Sequence, residues 1–155
     1  MRKVTLSEME SRMGPASVIR PLTDALGTTD LALNYYELEP GESTAYGYHV
    51  HSAQEEVFVP LEGTITFETD EGEVTASAGE LLRFGPGEYQ RSRNAGDEPA
   101  RVLVLGAPQE AGETEILRDC ESCGSRTPQD LEMADDRSAI LARCAECDEV
   151  TGRFT

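Results

Sequence analysis

Two sets of side chains in this sequence have the types and spacing for metal chemistry. The first is Cys120-Glu-Ser-Cys123-Gly124 with Cys144-Ala-Glu-Cys147, two CxxC pairs separated by the 20 residues from Gly124 to Arg143. A two-residue gap lets both thiolates of a pair reach one ion from a tight turn, and Gly124 can take the positive φ that turns backbone N–H groups toward sulfur. Two such knuckles complete the tetrahedron that zinc prefers, and four protein ligands leave no open position, so the expected role is structural. Iron in the same four-thiolate cage and a redox dithiol are the alternatives.

The second set is His49, His51 and Glu56. His49 and His51 are the only histidines in the chain. On a strand, residues i and i+2 face one side, so the two imidazoles are aimed at one point. Glu56 follows a turn at Ser52-Ala53-Gln54 and can return a carboxylate to the same ion. Two imidazoles and a carboxylate leave room for water or substrate on a divalent first-row metal: Fe, Mn, Ni, Co or Zn. Glu55 should face the other way. Tyr46, Tyr48 and Tyr89 are candidates for the mouth of the site or for packing with rim hydroxyls. Arg83, Arg91 and Arg93 form a local basic cluster, available to an anionic substrate or to ion pairs with the acidic excess.

These side chains need strands to hold them. Strand-like segments run over Leu31 to Glu39, Ala45 to His51, Glu56 to Val59, Thr64 to Thr69, Val74 to Ala76, Leu81 to Phe84, Gln90 to Asn94 and Arg101 to Leu105. Gly and Pro punctuate them at Pro40-Gly41, Gly63, Gly72, Gly79, Gly85-Pro86-Gly87 and Pro99. Many short strands with Gly-rich turns point to an all-β sandwich or barrel, and no long helical pattern supports a βαβ fold. Phe58, Phe67, Leu82 and Phe84 are the core candidates. Between the cysteine pairs, Leu131, Met133, Ile140 and Leu141 fit either a hairpin or a short helix begun at Thr127-Pro128.

A chain of 155 residues buries one sizeable core plus an appendage that needs its own staple. It holds 30 Asp plus Glu against 13 Lys plus Arg, a formal charge of −17, and Lys3 is its only lysine. Such a surface repels phosphate backbones and anionic membranes, which makes nucleic acid a poor partner for the chain as a whole. Near 1 M salt the Debye length falls to about 3 Å and the self-repulsion is screened, so the composition suggests a halophilic source. No stretch reaches the ~18 apolar residues that span a bilayer, and the first residues lack an apolar signal core. The expected location is the cytoplasm.

Two resemblances follow from these residues. Asp119 to Phe154 resembles the zinc ribbon family, although the usual proline of the first knuckle is absent. Nine acidic residues against five arginines between Ile116 and Thr155 favour partner docking over DNA reading for such a ribbon. Gly41 to Gly63, with His49-Val-His51 and Glu56, resembles the first conserved motif of the cupin superfamily, with a longer interval between Gly41 and His49 than the family's usual one. Gly79 to Asn94 resembles the second motif, with Gln90 where the family places a histidine.

The cupin resemblance implies a double-stranded β-helix, or jelly roll, with a metal inside the barrel, a small-molecule ligand, and often a homodimer. Gln90 is then the fourth candidate metal ligand or the holder of a metal-bound water. The implied organisation is an N-terminal arm over 1–15, a cupin barrel over 16–107, a linker over 108–118 and a four-cysteine zinc ribbon over 119–155. Dimerisation would also protect exposed sheet edges, with the arm contributing. Three functions remain open: a metal-dependent oxygenase or isomerase, a non-catalytic metal- or metabolite-binding module whose ribbon docks a partner, and a scaffold.

Overall fold

Period-two alternation builds the molecule. In Ala100–Ala107 (β9), Ala100, Val102 and Val104 are buried while Arg101 is exposed, as expected when one face of a strand meets a core. The computed structural model describes all residues from Met1 to Thr155. The other strands are Val18–Pro21 (β1), Ala32–Leu38 (β2), Tyr48–His51 (β3), Glu55–Glu62 (β4), Thr64–Thr69 (β5), Gly72–Ser77 (β6), Leu82–Phe84 (β7) and Gln90–Arg93 (β8), then Thr114–Cys120 (β10), Ser125–Met133 (β11), Ile140–Cys144 (β12) and Val150–Phe154 (β13). One short helix, Thr23–Leu26 (α1), lies between β1 and β2. It is not long enough to cross a membrane.

The strands form two sheets, ordered β1-β2-β9-β4-β7 and β13-β12-β11-β10-β3-β8-β5-β6. The core takes side chains from both: Ile19, Leu38, Phe58, Val102 and Val104 from the first, and Ile65, Phe67 and Ala76 from the second. Phe58 and Phe67 meet edge to face at 4.9 Å, and Phe84 lies 6.0 Å from Phe58. Each of these rings stabilises the fold by about 1.5–3 kcal/mol through burial, with the edge-to-face geometry adding roughly 0.5–1.5 kcal/mol.

The mostly β architecture read from the sequence is present, and two elements differ from expectation. β1 was not anticipated, because four residues ending in Pro21 leave too little alternation to detect. Of the two readings of the cysteine region the hairpin is the one present, a β-meander with Thr127 and Pro128 inside β11. The stretch 108–118 contains the first residues of β10, which pairs with β3 from Thr114↔His51 to Leu117↔Tyr48. The arm lies along its own β1: Arg12 N donates to Ile19 O at 2.9 Å, and Ile19 N donates to Ser11 Oγ at 2.9 Å.

Candidate metal centres

The two sheets each deliver part of one polar cluster into the apolar interior. His49 and His51 come from β3, with His49 in register with Gln90 of β8. Glu56 comes from β4, where it sits opposite Phe84 and Gly106. Glu56 Oε2 lies 3.6 Å from His49 Nε2 and 3.7 Å from His51 Nε2. One ligand atom from each of the three residues falls within 4.8 Å of the others. Bonds of about 2.0–2.2 Å to a common ion place ligand atoms roughly 3–3.5 Å apart, so both histidine–carboxylate distances are close to what one ion needs.

The outward nitrogens of both rings are already engaged. His49 Nδ1 lies 3.2 Å from Gly47 O, and His51 Nδ1 lies 2.8 Å from Thr114 Oγ1. A ring that donates from Nδ1 keeps its Nε2 lone pair free, and in both rings Nε2 faces the cluster. Burial lowers the His51 pKa, and the neighbouring His49 lowers it further against the opposing charge of Glu56. The neutral form that a metal requires is therefore the favoured one.

Gln90 is buried in the same cluster. Its Nε2 donates to Glu56 Oε2 at 2.8 Å and lies 3.1 Å from His49 Nε2, while its Oε1 is buried without a partner. An unpaired buried carbonyl costs about 1–3 kcal/mol, and rotating the amide would bring Oε1 to the ligand side. The residues surround a cavity of about 10 Å³, enough for one water or ion, which Gln54, Phe84 and Glu88 also line. Phe84 and Glu88 line a second, wider recess of about 510 Å³ as well, beside Thr69, Asp70, Glu71 and Tyr89. The small cavity thus adjoins an open space large enough for a metabolite.

The remaining sequence candidates are accounted for by their contacts. Glu55 faces outward and pairs with Arg83 at 2.6 Å. Tyr48 stacks on Tyr89 at 5.4 Å, its hydroxyl donating to Asp70 Oδ1 at 2.5 Å. Burial and that carboxylate both push the Tyr48 phenol far up. Tyr89 donates to Glu115, which raises its pKa to about 12. Tyr46 packs edge-on against Phe154 at 5.0 Å. Arg93 pairs with Glu73 at 2.5 Å, and Arg91 Nε is buried without a partner. Glu88, Gln54 and Thr114 were not singled out from the sequence. Glu88 follows the Gly85-Pro86-Gly87 turn, and that acid on a turn was the available signal.

The four cysteines converge at the other end of β10. Cys120 Sγ lies 3.4 Å from Cys147 Sγ, and Cys123 Sγ lies 3.8 Å from Cys144 Sγ. Four thiolates at ~2.3 Å from a tetrahedral ion are about 3.8 Å apart, whereas a disulfide needs ~2.05 Å. All four cysteines are free. Gly124 turns the first knuckle at φ 67° and donates its N–H to Cys120 O at 2.9 Å. The Thr127 hydroxyl, 3.1 Å from Cys144 Sγ, draws that thiol down to about 6. Hydrogen bonding to the Cys147 thiol, with burial, pushes Cys123 up. Thiols this close resist losing every proton unless a cation sits among them.

Residues 34–106 match a family model described as Cupin domain. The chain is 29% identical over 108 residues to the tetracenomycin polyketide synthase protein TcmJ of Streptomyces glaucescens, covering 68% of this chain and 71% of that protein. The polyketide cyclase RemF of Streptomyces resistomycificus superposes with a TM-score of 0.65 at 24% identity, over 80% of this chain and 90% of that one. A sugar phosphate isomerase of Silicibacter pomeroyi superposes with a TM-score of 0.61 at 24% identity, over 99% of this chain and 91% of that one. With the family match lying on the strands that carry His49, His51, Glu56 and Gln90, this chain has a cupin-superfamily fold that ends in a cluster of four cysteines.

Proposed function

We propose that the protein is a metal-dependent catalyst that removes and returns a proton beside the carbonyl of a small oxygenated molecule. The observation that carries this reading is the convergence of His49 Nε2, His51 Nε2 and Glu56 Oε2, with both Nδ1 atoms held on the far side. His49, His51 and Glu56 would be the ligands, with Gln90 either adding Oε1 or donating an amide proton to the Glu56 carboxylate. A divalent first-row ion in this set supplies a positive centre that draws electron density from a substrate oxygen and acidifies the neighbouring C–H. Isomerising a sugar phosphate and closing a ring on a polyketide share that need. The relatives with those descriptions thus support one chemistry, although their identities leave the substrate open.

The chain's own residues divide the remaining work. Phe84 forms an apolar wall that keeps bulk water from one side of the reacting carbon. Glu88, on the boundary between the small cavity and the wide recess, accepts the proton and returns it to the neighbouring carbon. The recess carries more carboxylate than guanidinium, with Arg83 engaged by Glu55, so an uncharged polyol or polyketide suits it better than the phosphorylated sugar named in the isomerase's description. In the alternative reading the same site binds a metal or metabolite without turnover and the cysteine module docks a partner.

We further propose that 16–107 form a jelly-roll barrel preceded by an arm over 1–15 and that 119–155 form a zinc ribbon, with only the part of 108–118 that precedes β10 serving as a linker. We place the protein in the cytoplasm of a halophile as a homodimer joined through the barrel. The catalytic proposal is tested by incubating metal-loaded protein with ketoses, aldoses and β-diketones in D2O and following α-deuterium by NMR. Exchange that His51→Ala abolishes and Glu88→Gln slows by about 10²-fold or more is the expected result. No protein-dependent exchange across the panel would favour the binding module.

A further inference from the structure

The ligand strand β3 has unequal neighbours. On one side β8 contributes the pair His49↔Gln90. On the other, β10 runs in register with the whole of β3, placing Thr114 opposite His51, Glu115 opposite Val50, Ile116 opposite His49 and Leu117 opposite Tyr48. β10 begins eight residues after the segment 34–106 that the cupin family model matches, and its last residue is Cys120, the first cysteine of the four.

Without β10, β3 would be held mainly at one position and would fray like an exposed edge strand. Both imidazoles ride on that strand. Thr114 adds a second connection, since its hydroxyl lies 2.8 Å from His51 Nδ1 and fixes which ring nitrogen turns inward.

The far end of β10 is anchored by the cysteine module in several independent ways. Arg118 donates to Tyr46 O, just before β3, and to Thr151 O of β13 at 3.0 Å, with its guanidinium 5.3 Å over the Phe154 ring. Arg126 of β11 pairs with Glu68 of β5 at 2.9 Å and lies 4.9 Å over the Tyr48 ring. Gly47 allows this close approach: a Cβ there would stand 2.6 Å from Leu117 O.

We infer that the four-cysteine module supports the His49, His51 and Glu56 metal centre through β10, with Thr114 as the positioning residue for His51. This rests on the reading of those three residues as a metal site. The module is then part of the centre's construction, and occupancy of the cysteines raises metal affinity some distance away. The coupling needs no conformational switch; a β10 tied at Cys120 frays less at Thr114.

The test titrates Co2+ into the full-length protein, where thiolate absorption reports the cysteine site and the weaker visible bands report the nitrogen and oxygen site. The wild type is expected to take two equivalents. Thr114→Val keeps shape and strand preference but loses the hydroxyl, and it should weaken the second site alone by about 10-fold, the lower end for such outer partners because the bond is solvent-accessible. Thr114→Ser should restore affinity to within about threefold. Cys123→Ser should weaken the nitrogen and oxygen site by at least as much as Thr114→Val.

A Thr114→Val protein with wild-type affinity at that site overturns the positioning role. Unchanged affinity in Cys123→Ser overturns the coupling. A wild type that takes cobalt only at the cysteines overturns the metal reading itself, and the inference falls with it. Equal melting temperatures for the two Thr114 variants separate ring positioning from general destabilisation.

Discussion

At the residue scale, the metal candidates were legible because their geometry is local. His49 and His51 share a strand face, and Glu56 returns after a turn of a few residues. Thr114 and Glu88 were not legible for the opposite reason. Thr114 lies 63 residues from His51 in sequence and meets it only through the β3–β10 pairing. Glu88 is ordinary in sequence and acquires meaning from the cavity it borders. Gln90 was singled out through the cupin resemblance, and its placement gives a direct test. Its amide is a weaker donor than an imidazole, and here its Nε2 points at two ligand atoms. Gln90→His should therefore tighten metal binding by about tenfold, roughly 1.4 kcal/mol, in a competitive chelator titration. Unchanged or weaker binding would mean that Gln90 serves the ligands only as a hydrogen-bond donor.

At the element scale, strands with a clear two-residue alternation and Gly-bounded ends were readable, and β9 is the plainest case. The elements that escaped were those whose stability comes from a neighbour. β1 is short and ends at Pro21, yet its Ile19 is almost fully buried against the core. β10 carries Glu115, Arg118 and Asp119 and reads as a polar connection until β3 and β11 are placed on its two sides. In the cysteine region, apolar spacing alone could not choose between helix and hairpin. The paired knuckles decide it, since β10–β11 and β12–β13 turns bring both CxxC pairs to one point. The result is one continuous sheet linking both candidate metal sites, which a reading of separate segments does not reveal.

At the scale of the whole molecule, charge and metal govern behaviour together. Arginines are spent on ion pairs, as in Arg20–Glu37 at 2.9 Å, Arg101–Glu62 at 2.8 Å and Arg143–Glu132 at 2.7 Å. Most of the 30 acidic residues have no such partner, so the net charge of −17 remains a source of self-repulsion. Raising salt from about 0.1 M to about 1 M shortens the Debye length from about 10 Å to about 3 Å and should raise the melting temperature by several degrees at constant metal loading. A melting temperature that stays level or falls would remove the halophilic assignment. Whether one chain holds two distinct metal centres is decided by element-resolved metal analysis of the native protein beside a His49→Ala, His51→Ala double variant, both expressed with first-row metals in excess. Two equivalents should fall to one, with zinc retained at Cys120, Cys123, Cys144 and Cys147; a single unchanged zinc equivalent in both proteins would mean that His49 and His51 hold no metal.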